Sequence, residues 1–238
     1  MTPKRTEPRV FPRFANKLAR VIVFGFVFFL VGIVLVSYLI MRSPLNTGVG
    51  VGHRQPVPFS HERHVRSLEI DCRYCHSSVE TSSFAGMPPT ETCMQCHSQV
   101  GINQTILQPV RLSYETGQPL EWMRVSRLPD YVHFNHSIHL NKGVGCVTCH
   151  GRIDEMVPLE ETFPLDNQIP VIWQAEPFSM QWCLNCHRNP ERFVMPREQV
   201  FNMKWQPPSN QDTTGRKLVE EYKIRGALDL TSCSVCHY

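Results

Sequence analysis

Residues 134–150 read Phe134-Asn-His136-Ser-Ile-His139-Leu-Asn-Lys-Gly-Val-Gly-Cys146-Val-Thr-Cys149-His150. Two patterns meet in this stretch. The second, C-x-x-C-H, is the attachment sequence of c-type haem. The spacing has a chemical reason. Two thiols add to the two vinyl groups on one porphyrin edge, and the adjacent histidine then lies under the iron and ligates it from the proximal side. The same motif recurs at Cys72, Cys75 and His76, at Cys93, Cys96 and His97, at Cys183, Cys186 and His187, and at Cys233, Cys236 and His237. Together the five copies use all 10 cysteines of the chain. Disulfides do not explain a histidine after every second cysteine. Tetrahedral zinc needs two such pairs, or one pair plus two further ligands. A thioredoxin-like redox pair would occur once, in a βαβ setting. The expected cofactors are five covalent haem c groups.

Five haems also bear on packing. The chain has 238 residues and 19 prolines, and few apolar side chains remain once its N-terminal hydrophobic run is set aside. Past residue 42 there are roughly 39 residues for each haem. The expected fold is mainly α with much irregular structure, short helices and loops wrapped around haems that form the core. Thr90 and Ser179 are expected to cap short helices over the second and fourth motifs.

The first pattern of the opening stretch also has a second copy. Phe59-Ser-His61-Glu-Arg-His64 stands seven residues before Cys72, and Phe134-Asn-His136-Ser-Ile-His139 stands six before Cys146. Ser60 and Asn135 suit the N-cap of a short helix carrying two histidines. At i and i+3 the imidazoles share a face and serve two different irons. Of the 11 histidines five are proximal, which leaves enough to fill every sixth position. His133, three residues before His136, is the natural fifth distal ligand. Met180 and Met87 are thioether alternatives that would raise one iron's potential. His53, after a glycine-rich stretch, reads as exposed or bonded to a propionate.

Residues 21–41 carry no charge. As a helix they span about 31 Å, close to the roughly 30 Å hydrocarbon core of a bilayer. The run is longer than the apolar region of a secretory signal and no A-x-A site follows, so a retained signal anchor is expected. Lys4, Arg5, Arg9, Arg13, Lys17 and Arg20 precede it with Glu7 as the one acid, which keeps the tail cytoplasmic. The expected organisation is a basic tail over 1–20, a single transmembrane helix over 21–41, a linker over 42–58 and an extracytoplasmic pentahaem domain over 59–238. Gly25 and Gly32 would let a partner helix approach closely. The outer part holds 17 basic and 20 acidic residues. That balance gives no support for nucleic-acid binding and suits a partner with a basic docking face. The haem-free stretches 98–132 and 151–182, with Trp122 and Trp173, are candidate docking surfaces.

The F-x-H-x-x-H arrangement resembles that of small class III multihaem cytochromes. By that resemblance His61 would ligate the haem at Cys72 and His136 the haem at Cys146, while His64 and His139 would reach neighbouring haems. The order of features also resembles a larger assembly. One anchor helix is followed by PFSHERH, DCRYCHSSVE, AGMPPTETCMQCH, VHFNHSIHLNKGVGCVTCHG and MQWCLNCHRNPE, with a last motif at Cys233. This is similar to the pentahaem cytochrome c subunit of bacterial alternative complex III. The resemblance implies an electron-transfer subunit without its own substrate site, held at the outer face of the cytoplasmic membrane. It also implies quinol-binding integral membrane subunits, an iron–sulfur protein and a monohaem cytochrome c as companions.

Two other classes were weighed. Four-haem anchored quinol dehydrogenases often carry Met two residues after a motif histidine. Here the pairs after His76, His97, His150 and His187 are Ser-Ser, Ser-Gln, Gly-Arg and Arg-Asn. A catalytic multihaem reductase needs an open iron position, and the spare histidines argue for closed ones.

Overall fold

The computed structural model describes residues 11–12, 14–156 and 172–238. Lys4, Arg5, Glu7, Arg9 and Arg13 of the basic tail, and residues 157–171 of the second haem-free stretch, lie outside the described residues. Two compact units result, Met1–Thr47 and Gly48–Tyr238.

The first unit is built on helix α1, Ala15–Arg42, followed by the short α2, Pro44–Thr47. Helix α1 is long and apolar enough to cross a membrane, by length and composition. A signal sequence near an N-terminus has the same character. None of its residues is buried. The helix runs beyond the uncharged stretch at both ends and takes in Lys17, Arg20 and Arg42. Such side chains lay their stems along apolar surface and keep the charge in water. The Arg42 guanidinium lies over the Tyr38 ring at 4.6 Å. A Cβ at Gly25 or Gly32 would meet nothing within 4 Å.

The second unit has short helices joined by irregular chain, and among the described residues no strand longer than an isolated bridge. In order come a π-helical turn Glu62–Ser67, α3 (Cys72–Cys75), α4 (Thr90–His97), α5 (Gln108–Thr116), α6 (His136–Asn141), α7 (Cys146–His150), α8 (Met180–Arg188), α9 (Gln211–Glu221) and α10 (Ala227–Leu230). Mainly α architecture with much irregular structure is what the prolines and the motif spacing predict. Apolar side chains form three small clusters in place of one core. Val79, Leu140, Met195 and Val200 make the first, Val57, Leu107 and Val110 the second, and Val194, Leu218 and Tyr222 the third. Among the described residues, Met195 and Val194 are the only large side chains that are fully buried. Interiors pack densely, so a domain with so little buried apolar surface leaves room for another apolar body.

Two close approaches fix the frame. A Cβ on Gly215 would lie 1.8 Å from the Glu191 carbonyl oxygen, so glycine alone lets α9 settle against the turn Pro190–Arg192. Gly143 has φ +79°, and a Cβ there would sit 2.6 Å from the Met195 carbonyl oxygen.

Three local expectations meet the structure differently. Ser179 caps α8 by accepting from the Trp182 N–H. Thr90 is instead the first residue of α4, Pro89 is its N-cap, and the Thr90 hydroxyl pairs with Ser113 on α5 at 2.8 Å. A side-chain partner on α5 has drawn that hydroxyl from its own backbone. Part of the expected linker is packed into the second unit. Val57 is buried in the second cluster, and the Gln55 amide both donates to the Met123 carbonyl and accepts its N–H.

Candidate functional site

Each cysteine pair sits on one turn of helix. Asp71 starts α3 by accepting from the Arg73 N–H, and α4, α7 and α8 carry the next three motifs. The fifth occupies a 3-10 turn, Cys233–Val235. A helical turn brings the two sulfurs, three apart, to one face. None of the ten cysteines pairs with another in a disulfide. Among the described residues no group of three or more His, Cys, Asp or Glu is placed to hold a bare metal ion.

The histidine rings meet in pairs. His64 and His97 have ring centroids 6.2 Å apart, His136 and His150 6.5 Å, and His139 and His187 6.2 Å. An imidazole nitrogen sits about 2.0–2.1 Å from a metal it ligates. With the ring's own radius added, one iron between two imidazoles holds their centroids roughly 6.3 Å apart. All three pairs have that separation. His136 and His139, on one turn of α6, face two different motif histidines. His61 has His76 as its strongest charged neighbour. The residues therefore fit bis-imidazole haem.

The other nitrogen is occupied in six of these rings. Nδ1–H donates to a backbone carbonyl at 2.8 Å from His76 (Gly86), His64 (Ser60), His136 (Ser83) and His139 (Asn135). His187 donates to Leu230 at 2.9 Å and His97 to Val100 at 3.0 Å. Fixing Nδ1–H in this way sets the tautomer and leaves the Nε2 lone pair for a metal. Burial, then the neighbouring His76 charge, lowers the His61 pKa to about 4. Burial with His136 and His76 nearby does the same to His150, also to about 4. These rings are neutral at ordinary pH, the form that ligates. Burial pushes the Cys146 and Cys149 thiols up to about 12.

Phe59 and Phe134 have a role that the sequence reading left open. Each ring meets the first histidine of its module edge-on, at 4.9 and 4.8 Å, and stacks on the second at 4.3 and 4.4 Å. The signal was present as the same aromatic two residues before both histidine pairs. The carbonyls that accept from Nδ1–H carry no residue signature and were not readable.

The fifth motif differs. His237 pairs through a β-bridge with Val132, directs Nδ1 to the Tyr131 carbonyl at 3.3 Å and stacks on the Tyr131 ring at 5.8 Å. His133 donates its backbone N–H to Cys236. Its ring lies against Tyr238 at 4.9 Å, and its Nδ1 is buried with no hydrogen-bond partner. Met180 is 68% exposed on the first turn of α8. Met87 is 59% exposed and follows Gly86, the residue that anchors His76. His53 is half-buried.

No family model matches the chain. A curated relative, the menaquinone reductase multiheme cytochrome c subunit of Nitratidesulfovibrio vulgaris (strain Hildenborough), is 38% identical over 97 residues. The match covers 40% of this chain and 45% of the relative. The chain thus spans less than half the length of the curated relative it matches. The relative is by its name a multihaem cytochrome c, the class to which the five motifs of this chain point.

Proposed function

We propose that this chain is a membrane-anchored electron-relay subunit that binds five c-type haems and works within a quinol-oxidising complex of the alternative complex III type. The observation that carries this reading is the set of histidine pairs at 6.2–6.5 Å. Such pairs would hold a haem iron from both sides at three sites, which suits electron transfer there rather than substrate binding. When bound, haem c supplies reversible one-electron cycling of its iron.

The chain's own residues do the rest. The ten cysteines hold each porphyrin by its edge. His76, His97, His150, His187 and His237 serve as proximal ligands. His61, His64, His136 and His139 serve as distal ligands, and His133, with its free Nδ1, is favoured over Met180 and Met87 for the fifth. The Nδ1–H bonds of His64, His76, His97, His136, His139 and His187 keep those rings from turning, so little would rearrange there when an electron arrives. Helix α1 anchors the domain, with residues 1–20 in the cytoplasm and residues 59–238 outside. Quinol chemistry belongs to integral membrane partners, with an iron–sulfur protein and a monohaem cytochrome c completing the path.

A second reading rests on the relative's name. In a menaquinone reductase the same relay would run in the opposite direction, towards quinone. Purification from native membranes with bound subunits, assayed for quinol oxidation and for quinone reduction, separates the two directions. Five haems per chain by pyridine haemochrome, falling to four on truncation before Cys233, is the expected count. An unchanged count on truncation overturns the fifth site. His136→Ala is expected to give a five-coordinate, CO-binding haem, and its absence overturns the ligand assignment.

A further inference from the structure

We propose that the five attachment sites stand in single file in an order that differs from the chain order, with the Cys93 site first, then Cys72, Cys146, Cys183 and Cys233, and that electrons enter and leave at the two ends. This rests on the five-haem reading above.

Each link has its own contacts. Between the Cys93 and Cys72 sites, the Tyr74 hydroxyl on α3 donates to the side-chain amide oxygen of Gln95 on α4. His61 and His64, three residues apart, face His76 and His97. The Cys75 thiol is within electrostatic reach of Cys93 and Cys96. Between the Cys72 and Cys146 sites, Val79 shares a cluster with Cys146 and Val147. His136 bonds Ser83 through both its backbone N–H and its Nδ1–H. Cys146 neighbours Cys72, and His150 neighbours His76.

Between the Cys146 and Cys183 sites, one turn of α6 supplies His136 to His150 and His139 to His187. Cys149 neighbours Cys183 and Cys186. Between the Cys183 and Cys233 sites, His187 donates to the Leu230 carbonyl at the end of α10, and Cys183 neighbours Cys236. The inversion of the first two sites follows directly. The Cys72 site touches both the Cys93 and the Cys146 sites and so stands between them. The same two ends carry the exposed cysteines, Cys96 and Cys233, while the other eight are half-buried.

One electron moves at each step. The iron that gives it goes from ferrous to ferric, the next goes from ferric to ferrous, and no bond or proton changes. The reductant at one end and the oxidant at the other are one-electron redox centres of partner proteins.

The test is the set of iron positions in the haem-loaded full chain, from anomalous iron scattering or a cryo-EM map. The expected nearest neighbours run Cys93, Cys72, Cys146, Cys183, Cys233, with the first and last irons farthest apart. Any other adjacency overturns the proposal. A second arm attaches a ruthenium photoreductant at Val100→Cys, beside the Cys93 site. The electron is expected to reach the Cys233 site, and His136→Met, by raising the potential at the third site, is expected to slow arrival roughly tenfold or more. An unchanged rate overturns the file. A haemochrome count of five with a different iron order refutes this proposal alone, whereas a lower count refutes the reading it rests on.

Discussion

Phe59–His64 and Phe134–His139 fold into matching clamps and then part. In both, the phenylalanine stands edge-on to the first imidazole and stacks on the second. In both, the second imidazole bonds the carbonyl four residues back at 2.8 Å. Ser60 and Asn135 cap the turn alike, accepting from Arg63 and Ile138 N–H at 3.2 Å. The difference is one residue in the spacer. The first module absorbs it as a π-helical turn, with Leu68 N–H bonding Arg63 O, while the second stays α-helical. Ile70 N–H then reaches His64 O across six residues, where Val144 N–H reaches His139 O across five. Glu69, at φ +55°, stands where Gly143 stands, at φ +79°. An inserted residue in a helix is commonly taken up as a π-bulge. Here it leaves the ligand clamp intact and alters what lies beyond it. The His64 and His97 planes cross at 63°, against 6° for His136 with His150 and 18° for His139 with His187.

The comparison can be broken most forcefully at its glycine. Gly143→Ala places a methyl against the Met195 carbonyl oxygen and Tyr222. The cost is roughly 1–3 kcal/mol from overpacking and about 1–2 kcal/mol from the left-handed backbone. Thermal unfolding of the haem-loaded domain should record a large drop, and an unchanged midpoint would mean the second spacer is not held as described.

The first module has a different brace. Asp154 is buried and takes a two-bond ion pair from Arg152, which also reaches Glu155, and Glu155 lies 3.9 Å from Arg66 on the π-turn. The hydrogen bond and charge of Arg152 hold the Asp154 carboxyl below its usual range. A carboxylate depressed in the folded state contributes stability above its unfolded pKa of about 3.9 and loses it as pH falls through the folded value. Asp154→Asn should cost on the order of 1–3 kcal/mol at pH 7 and flatten the stability profile below about pH 4. A variant retaining the parent's acid profile would assign that loss to other carboxylates.

A smaller effect is spectroscopic. Parallel imidazole planes direct both ligands' π orbitals at one iron d orbital, whereas crossed planes spread them over two and leave those orbitals nearly degenerate. The ferric site between His64 and His97 should give a low-spin EPR signal with a much larger maximal g than the two α6 sites. It should vanish in His64→Ala and persist in His139→Ala. A single rhombic signal type throughout would erase the distinction between the modules. The smallest effect is expected at Glu69→Gly, which relieves about 1–2 kcal/mol of left-handed backbone cost against about 0.4–1 kcal/mol of added unfolded-state entropy, a small net stabilisation. A loss would show that the Glu69 side chain has a contact of its own.

The attachment motifs were legible because the chemistry they point to demands side chains at fixed spacing, and five C-x-x-C-H copies leave little freedom. The two histidine modules were legible for the same reason, and the two rings of each do turn to different motif histidines. The partners of His64 and His139 were not, because His97 and His187 are brought to them by chain folding over distances that no local pattern encodes. The π-turn was hidden in a difference of one spacer residue that reads as loop variation. The packed segment around Gln55 and Val57 was hidden because glycine and proline composition reads as linker while a single amide pairs with a distant backbone.

On the proposed ligation, every distal imidazole that the structure pairs precedes the cysteine motif it serves. His61 comes before Cys72, His64 before Cys93, His136 before Cys146 and His139 before Cys183. If the part of the chain beyond helix α1 is passed outward from its helix-proximal side, each of these sixth ligands emerges ahead of the thiols that would capture the porphyrin. Assembly can then proceed site by site during export, each iron finding its second ring already waiting.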